Sequence, residues 1–91
     1  MESTQAQIDK LLREHLAPLH LEILDESAKH IGHPGAASGG GHFHVTIVSE
    51  HFEGIRTFAQ HRLVNDALAP LLKKEIHALG LKTVPASQWQ G

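Results

Sequence analysis

The sequence predicts an α+β fold with the element order α-β-β-α-α-β, in which a small three-stranded mixed sheet carries its helices on one face. Apolar residues recur at helical spacing over about 5–15 and 56–69. They alternate with polar residues over 19–23, 43–47 and 79–83, which is typical of half-buried strands. Helices and strands that are mixed along one short chain favour a single two-layer domain.

The first helix has a start signal and a stop signal. Thr4 and Gln7 have the spacing of a capping box, in which the hydroxyl and the amide serve free backbone N–H groups. Pro18 ends the helix, because proline disfavours helical backbone in the residue before it. The apolar stripe between these signals consists of Ile8, Leu11, Leu12 and Leu16.

Two strands follow, separated by a long loop. The first contains Leu19, Leu21 and Ile23, and the second contains Phe43, Val45 and Ile47. The loop spans 27–41 and is predicted to be flexible, since loops of this length in compact domains are usually functional or disordered.

The second half continues with two helices and a strand. The helix over 56–69 presents the stripe Leu63, Val64, Ala67 and Leu68. Pro70 suits the first position of a helix and not its interior, so a short third helix is predicted over 70–76. The last strand alternates through Leu79, Leu81 and Thr83 and ends at Pro85.

Composition bounds the class of protein. The chain has 91 residues, 41% of them hydrophobic and 20% charged, which predicts one globular domain over 1–91. No apolar run has the length of a membrane span and the N-terminus lacks the pattern of a signal peptide, so a cytoplasmic protein with no membrane partner is expected. The absence of cysteine excludes disulfides and any self-contained thiolate iron–sulfur site.

The charge distribution argues against a dedicated nucleic-acid-binding protein, and the motifs argue against an enzyme. Residues 1–53 carry a net charge of −5 and residues 54–91 a net charge of +3, far from the footprint of a dedicated nucleic-acid binder. The sequence contains no P-loop, nucleophile elbow or paired-carboxylate motif, so an enzyme is not expected. The run 39–41 of three glycines precedes a strand, not a helix, and therefore does not form a helix N-terminal phosphate site.

Histidines are the unusual feature, nine in number, four of them within 27–44. His42 and His44 lie two apart on a strand and share a face, where they are either solvated or, given a third ligand, a zinc chelate. His30 and His33 fall in the loop. The ordinary interpretation of such exposed loop histidines is that their imidazoles are simply solvated. His77 suits the C-terminus of the third helix as a cation, or serves as a ligand at the junction with the next strand.

Four stretches carry a family resemblance over about 19–89. "HLEILDESAKH", "HFHVTIVSEHFEG", "QHRLVNDAL" and "IHALGLKTVPASQW", in that order, resemble BolA-like proteins. The resemblance implies a class II KH-like fold and a non-enzymatic partner of monothiol glutaredoxins that functions in iron homeostasis. It also implies a shared [2Fe–2S] cluster, completed by glutaredoxin and glutathione thiolates and absent from the isolated protein.

The same resemblance assigns candidate residues. His77 corresponds to the family's cluster ligand near the end of the chain. The loop ligand corresponds to His30, with His33 as the alternative.

Some bacterial members are described as DNA-binding regulators of stress response and cell shape, which makes weak DNA contact the alternative function. The residues available for it are Arg56, Arg62, Lys73, Lys74 and Lys82. A KH-type GxxG loop is missing from the junction at 67–70.

Overall fold

A computed structural model of the chain describes residues 3–26, 41–72 and 75–89. Its elements confirm the predicted order α-β-β-α-α-β. The helices and strands are α1 (Thr4–Leu16), β1 (His20–Asp25), β2 (Gly41–Ser49), α2 (Thr57–Ala67), α3 (Ala69–Leu72) and β3 (Ile76–Pro85). Two short 3-10 turns accompany them, Glu50–Phe52 after β2 and Ala86–Gln88 after β3.

The sheet has three strands in the order β1-β2-β3. β1 pairs antiparallel with β2, and β3 pairs parallel with β2, so the predicted mixed sheet is confirmed. The parallel pairing requires a crossover, which α2 and α3 supply. β2 lies in the centre, where its backbone pairs with β1 on one edge and β3 on the other, and its side chains point alternately to the two faces of the sheet.

The core occupies one face of the sheet. Phe43, Val45 and Ile47 of β2 are buried in one cluster with apolar residues of all three helices. The helical members of that cluster are Ile8, Leu12 and Leu16 of α1, Val64 and Ala67 of α2, and Leu71 of α3. Helices and sheet thus share one apolar layer, whose burial supplies most of the favourable free energy of folding.

The start of α1 differs from the prediction. Ser3, not Thr4, is the N-cap, and its hydroxyl accepts a hydrogen bond of 3.1 Å from the N–H of Ala6. The helix therefore begins one residue earlier than the proposed capping box requires, because the serine hydroxyl caps the first turn itself. At the other end Ala17 adopts a left-handed conformation with φ of 42° before Pro18.

The third helix was predicted too long. It spans only Ala69–Leu72, and Ile76, predicted as its last residue, is the first residue of β3. The N–H of Gly41 donates a 2.9 Å hydrogen bond to the carbonyl of Glu75, and Ile76 pairs with Gly41 and is 4% exposed. Pairing with the central strand, together with burial of Ile76, outweighs local helical preference here.

Two buried polar side chains tie the elements together. Ser49 donates a 2.6 Å hydrogen bond from its hydroxyl to the carbonyl of Leu16, which joins the end of β2 to the end of α1. Gln60 of α2 donates to the carbonyl of Ile55 at 2.9 Å and accepts from the Thr83 hydroxyl of β3 at 2.6 Å. Because both are buried and bonded, they fix α1 and α2 against the sheet.

Candidate functional site

The face of the sheet opposite the core carries the candidate ligands, and we call it the outer face. Partners in the register share a face, so its membership follows from the pairing. The outer face comprises His20, Glu22 and Leu24 of β1, His42, His44, Thr46 and the buried Val48 of β2, and Ala78, Gly80, Lys82 and Val84 of β3. The predicted common face of His42 and His44 is therefore confirmed.

His77 joins this face through an irregularity in the pairing of β2 with β3. Gly41 pairs with Ile76 but the next residue, His42, pairs with Ala78, so His77 is the additional residue of a bulge on β3. A bulge changes the alternation of a strand and redirects a side chain. Ile76 consequently stays in the core, whereas the exposed His77 comes beside the outer face.

The result is a contact between two imidazoles. The ring centroids of His42 and His77 are 5.1 Å apart, with ring planes inclined at 45°. His42 is half-buried and His77 is exposed, so the pair borders solvent. The prediction that His77 ends a helix is wrong, because it lies within the strand β3, between Ile76 and Ala78, which both pair with β2.

His44 has a different neighbour. Gly80 lies opposite it on β3, and a Cβ atom added to Gly80 would come within 2.8 Å of the His44 Cδ2 atom. The imidazole of His44 therefore covers the backbone of Gly80, and only glycine permits so close an approach. This contact holds His44 over the sheet, in a separate place from the pair formed by His42 and His77.

The C-terminal segment packs beside the other end of the outer face. The ring of Trp89 stacks on His20 with centroids 4.7 Å apart and planes at 21°. The carboxylate of Glu53 accepts a 2.6 Å hydrogen bond from the N–H of Ser87 and a 2.9 Å bond from its hydroxyl. The backbone hydrogen bond, and next the hydroxyl, lower the pKa of Glu53 from its ordinary 4.5.

Other predicted site residues lie apart or outside the described ranges. His30, His33, Lys73 and Lys74 fall in 27–40 and 73–74, which the structure does not describe. Of the remaining cations, Arg56 and Arg62 belong to the helix α2 and its N-cap, on the core side of the sheet. Lys82 is on the outer face, so the structure does not gather these three into one basic patch.

Within residues 3–26, 41–72 and 75–89, no group of three or more histidine or carboxylate side chains is arranged to hold a metal ion. The described chain thus offers the pair of His42 and His77 and not a complete metal cage. The sequence does not predict this pair. His42 and His77 are 35 positions apart, and they meet because of the register shift between β2 and β3, which neither segment shows by itself.

The described part of the chain contains no helix that is both long and apolar enough to cross a membrane.

Comparisons with known proteins agree with this fold. A family model described as BolA-like protein matches residues 12–88. The DNA-binding transcriptional regulator BolA of Vibrio cholerae is 43% identical over 86 residues, covering 94% of this chain and 78% of that protein. BolA-like protein 1 of Homo sapiens is 40% identical, covering 94% of this chain and 61% of the human protein.

Solved structures show the same architecture. BolA1 from Arabidopsis thaliana superposes with a TM-score of 0.84 at 34% identity, covering 98% of each chain. The match of the family model over most of the sequence, the relatives and the shared fold lead to one conclusion: the chain belongs to the BolA-like family.

Proposed function

We propose that this protein is a non-enzymatic, cytoplasmic partner of a monothiol glutaredoxin, and that it donates histidine nitrogen to a [2Fe–2S] cluster bridging the two proteins. The observation that carries the proposal is the exposed imidazole of His77, which lies beside the outer face between Ile76 and Ala78, two residues that pair with β2. Because the residues on both sides of His77 are paired, less backbone conformational entropy is lost there when a second protein docks than in an unpaired loop.

The donor chemistry fits a shared cluster. The chain has nine histidines and no cysteine, so it can supply nitrogen and no thiolate. A glutaredoxin cysteine and glutathione supply the sulfur ligands in this proposal, and histidine ligation raises the reduction potential of such a cluster relative to all-thiolate ligation. A mixed ligand set suits an adaptor in iron homeostasis that receives and releases the cluster.

Membership of the family supports His77 as one ligand, because the segment 76–79 matches the family pattern. For the second nitrogen we propose His30, with His33 as the alternative. Pro34 restricts the backbone of His33 to extended conformations, whereas His30 has no such neighbour. The variants His30→Ala and His33→Ala, each in complex with glutaredoxin, distinguish them. Loss of the cluster in His33→Ala alone would reverse the assignment.

Co-purification with a monothiol glutaredoxin, followed by visible absorption and circular dichroism, tests the proposal. We expect a coloured complex with the wild-type chain and a less stable cluster with His77→Ala. His51→Ala is the matched control, because His51 is also exposed but lies in the turn after β2. A His77→Ala complex with the wild-type spectrum and lifetime would remove His77 from the ligand set.

A DNA-binding role is the second candidate, favoured by the name of the Vibrio cholerae relative. Here Arg56, Arg62, Lys73, Lys74 and Lys82 would contact phosphates. Since residues 54–91 carry a net charge of only +3, we expect a shallow log–log salt dependence, with a slope of about −2 to −4. Nanomolar, sequence-specific binding at physiological salt would place regulation ahead of cluster sharing.

A further inference from the structure

We propose that His42 and His77 form a two-imidazole binding site for a divalent transition-metal ion, with Zn²⁺ as the probe. The site goes beyond the proposed function, because it requires neither glutaredoxin nor an iron–sulfur cluster. It consists of two side chains from adjacent strands of the outer face, brought together by the bulge at His77.

The spacing of the rings matches joint coordination. A Zn–N bond is about 2 Å long and the ring centre lies about 1 Å further on, so two imidazoles at a tetrahedral angle have centroids about 5 Å apart. The observed distance is 5.1 Å, and the 45° inclination of the planes differs from the near-parallel stacking of His20 on Trp89 at 21°. The two rings therefore have the separation that a shared ion requires.

Paired strands flank both members of the site. His42 lies in the central strand, where its carbonyl also accepts a 2.7 Å hydrogen bond from the N–H of Glu26, and His77 lies between Ile76 and Ala78, which both pair with β2. Two preplaced ligands bind an ion more tightly than separate ones, because the second bond forms within one molecule. Each imidazole has two ring nitrogens, so a hydrogen bond at one nitrogen is compatible with metal binding at the other.

The two imidazoles leave two positions of a tetrahedral ion to water or to another molecule. This agrees with the absence of a group of three ligands among the described residues. Imidazole nitrogen suits Zn²⁺, Cu²⁺ and Ni²⁺, whereas Mg²⁺ and Ca²⁺ prefer oxygen. The site is therefore expected to select borderline transition metals over the abundant hard cations.

The test is a Zn²⁺ titration of the isolated full-length chain, followed through the imidazole nitrogen signals in NMR. We expect the signals of His42 and His77 to change together, and His42→Asn or His77→Asn to weaken zinc binding at this site at least about tenfold. In a His77→Asn background, His42→Asn should have little further effect. His44→Asn is the matched control, since His44 shares the strand and face of His42 but lies over Gly80.

Two results would overturn the inference. One is zinc affinity at His77 that stays within twofold of wild type in His42→Asn. The other is a zinc response of His30 or His33 together with His77 while His42 stays unchanged. If His42→Asn unfolds the chain, His77→Asn still tests the site by removing the other ligand. It leaves the core intact, because His77 is exposed. Neither result decides the glutaredoxin proposal, because the glutaredoxin experiment measures a complex and the zinc titration measures the isolated chain.

Discussion

The two faces of the sheet differ in what determines them. On the core face, Phe43, Val45 and Ile47 are buried, and any apolar side chain of suitable volume would maintain the layer. On the outer face, two alternate residues of the same strand, His42 and His44, contact His77 and Gly80 of β3, respectively. Within residues 42–47, this strand thus contributes to the core through Phe43, Val45 and Ile47 and supplies a candidate ligand, His42, on the opposite face.

The largest effect is expected from a substitution on the core face. Ile47 is fully buried, so Ile47→Ala should lower the free energy of unfolding by about 2–5 kcal/mol. Its neighbour Thr46 points to the outer face, and Thr46→Ala should cost at most about 1 kcal/mol. Urea denaturation of the two variants makes the comparison, and equal losses would show that the faces are not energetically distinct.

Periodicity was sufficient for the core face because burial imposes a period of two on a strand and 3.6 on a helix. The sequence therefore predicted β2 through Phe43, Val45 and Ile47, and α1 through Ile8 and Leu12, with errors only at the ends. The outer face has no such constraint. The bulge at His77 arises from parallel pairing between segments far apart in sequence, so the local pattern around His77 predicts a helix end instead.

A smaller effect is expected from the contact of His44 with Gly80. An alanine Cβ at Gly80 would press on the His44 ring at 2.8 Å, and the ring would have to rotate away. We expect Gly80→Ala to cost less than about 1 kcal/mol and to shift the His44 ring signals in NMR. In a His44→Ala background the cost should disappear. A Gly80→Ala penalty that persists there would place its origin in the backbone instead.

The smallest effect on stability is expected from a substitution that loosens the C-terminal segment, which borders the outer face through Trp89. The folded-state pKa of Glu53 lies below its ordinary 4.5, so the carboxylate stabilises the fold above that value. This contribution is lost as the pH falls through the folded-state pKa. Glu53→Gln should therefore lower Tm at pH 6, and its difference from wild type should shrink as the pH falls below 4.5 and through the folded-state pKa.

Ser87→Ala is the control for that prediction, because it removes the hydroxyl donor but keeps the backbone N–H that bonds to Glu53. Its Tm at pH 6 should lie between those of wild type and Glu53→Gln. A Glu53→Gln difference that is constant from pH 6 to pH 3 would mean that ionisation of Glu53 does not stabilise this segment.

The central claim is that the outer face gives nitrogen from His77 to a shared cluster. Its most direct test is pulsed electron paramagnetic resonance of the reduced cluster, in a complex of ¹⁵N-histidine-labelled chain with unlabelled glutaredoxin and glutathione. We predict a strong ¹⁵N coupling that is reduced in His77→Asn and retained in His51→Asn. Spectra that are identical for the labelled and unlabelled chains would show a cluster held by sulfur alone and would contradict the claim.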